Sequence, residues 1–316
     1  LPDVIETLDL GGESLDFLIK DGAVSLKGKA TLDKRPMTFE WHSFLNSEGK
    51  DFKEKIKAKI KADPNIRSQL GIDLSEFLEG SADVDIVYTA YRNKTAKAHV
   101  IADVTPALFF VEPFGYEKKS GEAGRTEFDA HLKNGVLQKI TGLTGEAEDF
   151  DLSKSEINFH QVDGKTELLS GKAPAFVVGD TKGKLDFSFD ENGTAAINME
   201  ASVLDAQPFM EPSDSKEEYN QPPMKITVTA TNMLTAPEEV MSDVRLYYDI
   251  DDKGRFNIIK VDGAVGSGTV KARFNPDDQG RKVFDLVSDD AGAMLKAFQV
   301  YNNIRGGQMK IKGSAP

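Results

Sequence analysis

Along Arg125 to Lys133, Phe128, Ala130 and Leu132 alternate with Glu127, Asp129, His131 and Lys133. Successive side chains of a strand point to opposite faces, so this alternation specifies a half-buried antiparallel strand with one wet and one dry face. The same pattern fills most of the chain. Ala82, Val84, Ile86, Tyr88 and Ala90 share one phase, and Ala98, Val100, Ala102 and Val104 form another. Leu185-Phe187-Phe189, Ile197-Met199-Ala201, Ile226-Val228-Ala230 and Val244-Leu246-Tyr248-Ile250 repeat it. Turn chemistry separates these runs: Glu191-Asn192-Gly193 is a strong hairpin signal, and Asp252-Lys253-Gly254 and Asp278-Gln279-Gly280 are weaker ones. The expectation is a mainly β chain of roughly fifteen strands joined as hairpins.

Within the strands one phrase recurs: an apolar residue, then Gly, then Ala, at every second position. It occurs as Leu26-Gly28-Ala30, Leu78-Gly80-Ala82, Leu143-Gly145-Ala147, Leu169-Gly171-Ala173 and Ile311-Gly313-Ala315, with Val261-Gly263-Val265 as a looser copy. Spacing of two puts all three residues on one face, where a strand glycine marks a bulge, a bend or close approach by another group. Gly28, Gly80, Gly145, Gly171 and Gly313 are therefore expected to let a sheet curve, with the glycines on its apolar side.

Helical signals are few. Phe52, Ile56 and Ile60 recur every four residues before Pro64, which predicts a helix carrying Lys53, Lys55, Lys57, Lys59 and Lys61. Such a basic amphipathic helix could touch anionic headgroups, or pack on a sheet with its lysines solvated. Ile66 to Leu70 predicts a further turn, and Asp73-Leu74-Ser75-Glu76 a capping box opening a short helix through Leu78. These segments make up a helical insert at about 51–79. Thr235-Ala236-Pro237-Glu238 predicts a cap for a brief helix to Met241, and Ser288 or Asp289 a cap for one carrying Met294, Leu295 and Phe298. Residues 207–223, with several prolines and acidic residues, predict a long mobile loop.

A few short helices cannot cover so many apolar strand faces. Either two sheets close on each other as a β-sandwich or barrel, or an apolar surface stays open, and a large open apolar surface marks a binding site.

Composition narrows the function classes. A net charge of −13 over 316 residues argues against nucleic acid, which needs a basic footprint. There is no cysteine, so thiol nucleophiles, disulfides and Cys-based metal sites are excluded. No apolar run is long enough for a transmembrane helix. The opening Leu1 and the strand-like ending suggest a piece excised from a longer protein. His42, His99, His131 and His160 stand in no metal-ligand spacing. Gly171-Lys172 lacks the rest of a P-loop. Asp249 to Gly254 faintly resembles a calcium loop, but Lys260 occupies the twelfth position, so a hairpin turn is the better reading. Carboxylate pairs such as Glu146 and Glu148 abound, yet none stands out as a general acid and base. No enzyme activity, cofactor or metal is expected.

Val100-Ile101-Ala102-Asp103-Val104-Thr105-Pro106-Ala107, followed by Phe114-Gly115-Tyr116-Glu117-Lys118-Lys119-Ser120-Gly121 and the strand from Arg125 to Leu132, carries a family resemblance. It resembles the AsmA-like superfamily of Gram-negative envelope proteins, most closely its YhdP-like members. In that pattern a strand ends Asp-Leu-Thr-x-Ala and a Gly-Trp-x-Lys loop follows; here Val104 stands for the Leu and Tyr116 for the Trp. Leu70-Gly71-Ile72-Asp73-Leu74 through Gly80 is similar to the family's helical lead-in. Ser288 to Ala297 and Asn303-Ile304-Arg305-Gly306-Gly307 are similar to its late segment. The resemblance spans roughly residues 66 to 145 and 284 to 313.

The resemblance implies one continuous segment, 1–316, of a periplasmic body anchored to the inner membrane: a long, strongly twisted antiparallel sheet curled into an open U-shaped groove. Its implied role is non-enzymatic, a bridge that carries phospholipid or other acyl chains between inner and outer membrane and so supports outer-membrane homeostasis. Membranes would be met through regions outside this segment, which would itself be monomeric. The groove would be lined by Val84, Ile86, Tyr88, Val100 and Ala102, then by Phe128, Ala130, Leu132, Leu185, Phe187 and Phe189, and finally by Ile197, Met199, Ile226 and Val228. The alternative is a structural or interaction module of an envelope protein, built as a closed β-sandwich.

Overall fold

The computed structural model describes residues 10–69, 74–210 and 221–315. The chain divides into two compact units. The first comprises residues up to Glu112 with Tyr116–Leu169, and the second comprises Pro113–Gly115 with the chain from Ser170 onward.

In the first unit β1 (Leu10–Lys20), β2 (Ala23–Leu32), β3 (Arg35–Phe44) and β4 (Glu54–Ala62) follow in chain order. They are joined to β6 (Ala82–Ala90), β7 (Thr95–Asp103), β10 (Gly124–Lys133), β11 (Val136–Ala147) and β12 (Phe150–Val162). Every pair is antiparallel, and each strand lies beside its predecessor in the ladder. A helix α1 (Pro64–Gln69) and a small sheet of β5 (Leu78–Glu79), β8 (Leu108–Val111) and β9 (Tyr116–Lys118) interrupt the order. The hairpins are tight because their turn residues accept positive φ: Asp21-Gly22, Asn134-Gly135 and Asp163-Gly164 supply two-residue turns that match the strand twist.

β13 (Lys165–Val178) begins in the first unit and continues in the second. The second unit then adds β14 (Thr181–Phe189), β15 (Ala195–Asp205), β16 (Met224–Ala236), β17 (Glu239–Ile250) and β18 (Phe256–Val265). It ends with β19 (Gly268–Pro276), β20 (Lys282–Ser288) and β21 (Met309–Ala315), and has two helices, α2 (Gln207–Met210) and α3 (Ala291–Ala297). One pair departs from the expected antiparallel scheme: β15 and β16 run parallel. A parallel pair cannot be joined by a two-residue hairpin turn. Of the expected loop at about 207–223, Gln207–Met210 is the short helix α2, and 211–220 lies outside the described residues.

The hairpin turns after β14, β17 and β19 are one device used three times. Asp190, Asp251 and Asp277 each accept, through Oδ1, the backbone N–H two residues on and the one four residues on, at 2.8 to 2.9 Å. A glycine with positive φ completes each turn at Gly193, Gly254 or Gly280. The faint calcium loop is thus a hairpin whose carboxylate is spent on its own backbone.

Three helix expectations are corrected. Residues 54–62 form β4, not a helix: a spacing of four is also a multiple of two, and Lys55, Lys57, Lys59 and Lys61 alternate with Ile56, Ala58, Ile60 and Ala62. Leu78 lies in β5, and Ser75–Phe77 form a turn, so within the insert at about 51–79 only Pro64–Gln69 is helical among the described residues; Asp73 and Leu70 lie outside them. Pro237 and Glu238 form the turn between β16 and β17, with Ala236 paired to Glu239 and Glu238 at φ 69°. The helix near 290 exists, but its N-cap is Asp290, whose side chain accepts from Ala293 N at 3.0 Å.

Candidate functional site

Cross-strand pairing gathers the apolar phases into rows. In the first unit one row runs Phe17, Leu26, Trp41, Ile56, Tyr88, Ala98, Ala130, Ile140 and Ile157, each directly opposite the next. The adjacent row carries Phe39, Ala58, Ile86, Val100 and Phe128, and a third Ala30, Met37, Ile60, Val84 and Ala102. In the second unit Gly171, Phe187, Ile197, Ile226, Tyr248, Ile259, Phe274, Phe284 and Gly313 make one row. Ala173, Leu185, Met199, Val228, Leu246, Val261, Ala272, Leu286 and Ile311 make the next. Leu132 stands opposite Ala96 and Leu137, and Phe189 opposite Ala195.

The opposite faces are charged. Glu40 bridges Lys27 and Lys57 at 2.7 and 3.5 Å, Lys59 meets Asp85 at 2.8 Å, and Asp129 is shared by Lys97 and His99 at 2.9 and 3.0 Å. In the second unit Lys184 meets Glu200, and Arg273 meets Asp262 at 2.6 Å. Each exposed pair is worth little energetically, but together they fix which face meets water. The lysines of β4 belong here, as cross-strand partners rather than a basic helix.

The apolar rows are unevenly covered. In each unit the long strands form one uninterrupted ladder, not two stacked sheets, so coverage comes from the short elements. In the first unit α1 brings Ile66 onto Ala30, Met37, Ile60 and Ala62, forming a dry core at one end of the strands. Nearby, Arg67 is buried and gives its guanidinium to the carbonyls of Leu78 and Gly80, at 3.1 and 2.7 Å. Lys118 is buried too and donates to the carbonyls of Ala107, Lys119 and Glu122 at 2.8 to 3.0 Å; burial pushes its ammonium pKa down. These two cations staple the chain over that end. In the second unit Met241, Val244, Val270, Met294 and Ala297 are fully buried where α3 covers the strands.

Away from these capped ends coverage thins. Val84, Ile86, Tyr88, Val100, Phe128, Ala130 and Leu132 are only half-buried, as are Leu185, Phe187, Phe189, Ile197 and Ile226; Ala102, Met199 and Val228 are buried. Phe17 is 62% exposed and Phe256 43%. Phe256, Ile259, Ala272, Phe274 and Phe284 line an apolar hollow of about 260 Å³ on the second unit. The phenol of Tyr248 is pushed up by burial, and that of Tyr88 by burial and then by nearby Glu54, as befits hydroxyls on a greasy face.

The predicted glycines divide. Gly28, Gly145, Gly171 and Gly313 fall in apolar rows, opposite Phe39, Leu152, Phe187 and Phe284. Gly80 does not: it sits in the bend between β5 and β6 with φ 87°, against Ala107. The space above Gly145 is filled by the Phe150 ring, 2.8 Å from where a Cβ would stand, so it leaves no headroom for a ligand. Above Gly313 nothing lies within 4 Å. Bends come also from residues outside the recurring phrase. Gly142 and Lys154, both at positive φ, flank a double register shift between β11 and β12, and Asp243 at φ 51° marks another between β17 and β18. The signal for Gly142 was a second glycine within one strand, beside Gly145. Lys154 and Asp243 gave none.

No group of side chains suited to a metal ion occurs among the described residues. Comparison with protein-family models, with curated proteins and with solved structures found no match.

Proposed function

We propose that the apolar face of each unit carries lipid acyl chains, and that the chain is a non-enzymatic segment of a conduit moving phospholipid across the periplasm between inner and outer membrane. The observation that carries this reading is the unbroken run of cross-strand apolar rows, half-buried along much of its length and buried at Met199, Val228 and Leu246, with no second layer of long strands in its own unit and with ion pairs on its reverse face. A row of Val, Ile, Ala, Phe and Met gives an acyl chain contact without directional bonds. Each methylene moved out of water contributes about 0.8 kcal/mol, so a few carbons bind while no single position traps them. The periplasmic placement and the membrane anchor rest on the family resemblance at residues 100–121.

Native mass spectrometry and solvent extraction of the purified chain test this directly. Co-purified phospholipid is the expected result, and Phe187→Asp should sharply reduce the load by placing a charge in the central row. A chain free of lipid and detergent, with an apolar face closed to an environment-sensitive dye, would sink the proposal and leave the structural module.

A further inference from the structure

The segment after α3 belongs to no strand until Met309, yet it is firmly held. At the C-terminal end of α3, Gln299 takes φ 55°, and the N–H of Val300 returns to the Leu295 carbonyl at 2.8 Å. At the far end of the loop, the carbonyls of Gly307 and Gly306 accept the N–H groups of Ala291 and Gly292, at 2.7 and 3.0 Å. The two backbones are so close that a Cβ on Gly292 would lie 2.5 Å from the Ile304 carbonyl oxygen. A loop clamped at both ends would be expected to bury its apolar side chains. Here they point outward: Val300 is 67% exposed, Tyr301 51% and Ile304 45%.

The charge around it is equally unusual. The chain carries −13 overall, yet from Ala291 to Pro316 there is no Asp or Glu, while Lys296, Arg305, Lys310 and Lys312 occur. Lys296 pairs with Glu239, and Lys312 with Asp285 at 3.2 Å. Among the described residues Arg305 and Lys310 form no ion pair and both are exposed. Asp289 and Asp290 make no ion pair with these cations: Asp290 caps α3 and accepts from Ser267, and Asp289 accepts from Thr269 at 2.7 Å, so both keep their charge beside the basic segment.

We propose that the loop 299–305 is a membrane-surface docking element that takes a bilayer bearing anionic headgroups. Val300 and Ile304 enter the acyl boundary, Tyr301 sits at headgroup level with its hydroxyl in water, and Arg305 and Lys310 meet the phosphates. At physiological salt, charges more than about 8 Å from the surface are screened, so the acidic remainder of the chain does not cancel this local attraction. Loop 299–305 lies in no strand, but Lys310 lies in β21, which pairs with β20 alone among the described residues, so strand addition by a protein partner at that edge is the competing outcome, and absence of vesicle binding would favour it.

The test is co-sedimentation of the full chain with phosphatidylcholine vesicles, with and without phosphatidylglycerol. Binding to the anionic vesicles is expected, and added salt should weaken it. The triple variant Val300→Ser, Tyr301→Ser, Ile304→Ser should lose most of the binding while keeping its circular dichroism, since all three side chains are exposed. Arg305→Gln with Lys310→Gln should lower binding to anionic vesicles about tenfold or more, with little effect on neutral ones. Absence of binding by the unaltered chain, undiminished binding by the triple variant, or equal affinity for both vesicle types would overturn the proposal. Phe187→Asp should dock normally, and the loop variants should keep their co-purified lipid, so docking and groove loading fail or hold independently.

Discussion

Ile197 stands directly opposite Ile226 although their strands run parallel, the only parallel pair in either unit among the described residues. The register keeps Met199 opposite Val228 and Ala201 opposite Ala230. A slip of one residue would turn every side chain of β16 to the wet face. The apolar rows therefore pass through a change of strand direction without a break.

Position along the rows should decide whether an introduced charge disturbs folding or only the surface. Val228 is buried and Phe187 half-buried. Val228→Asp is expected to cost more than about 3 kcal/mol and to abolish the cooperative denaturant transition of the second unit. Phe187→Asp should keep that transition with a lowered midpoint. Equal midpoints for the two variants would show that the rows do not differ in coverage.

Two glycines of the recurring phrase should respond oppositely to alanine. At Gly28, with φ 155°, a Cβ would stand 2.0 Å from the Ser14 carbonyl oxygen; at Gly313 it would meet nothing within 4 Å. Gly28→Ala should destabilise the first unit by more than about 1 kcal/mol, and Gly313→Ala should fall within about 0.5 kcal/mol of the parent. Urea denaturation of both variants makes the comparison.

Ser155 offers a stabilising change. Its Oγ is buried without a hydrogen-bond partner, opposite Leu143 and next to the bulge at Lys154. An unpaired buried hydroxyl costs about 1–3 kcal/mol, so Ser155→Ala should raise stability by about 1 kcal/mol. A lowered unfolding midpoint would contradict this.

Acid should loosen the β17–β18 hairpin. Hydrogen bonds from the Arg255 side chain and backbone, and then from Lys253 N–H, hold the Asp251 carboxyl down at about 2, against an ordinary 3.8. A carboxyl depressed in the folded state contributes stability above pH 3.8, which is lost as pH falls through about 2. Carboxyl NMR should report a titration near 2, and Asp251→Asn should remove that acid-dependent component. Asp190 and Asp277 shift in the same direction, Asp190 through the N–H groups of Thr194 and Asn192, and Asp277 first through the Arg281 side chain and then through its turn N–H groups.

The sequence by itself shows a mainly β chain, the apolar phase of runs such as 82–90, 125–133 and 226–230, and the three Asp-x-x-Gly turns. These are local: side-chain alternation and turn backbone are properties of consecutive residues. At β4 the spacing of Phe52, Ile56 and Ile60 satisfies both periods; the alternation of Lys55, Lys57, Lys59 and Lys61 with Ile56, Ala58, Ile60 and Ala62 already favours the strand, and the pairing of Ile56 with Trp41 and Tyr88 fixes it. Tertiary structure alone decided that Phe150 fills the space over Gly145, that Lys154 and Asp243 supply bends, and that α1 and α3 cover one end of each set of strands. It also decided the parallel register of β15 and β16. Coverage and register arise between residues far apart in the chain, and no period of two or 3.6 records which distant element will lie above a given side chain.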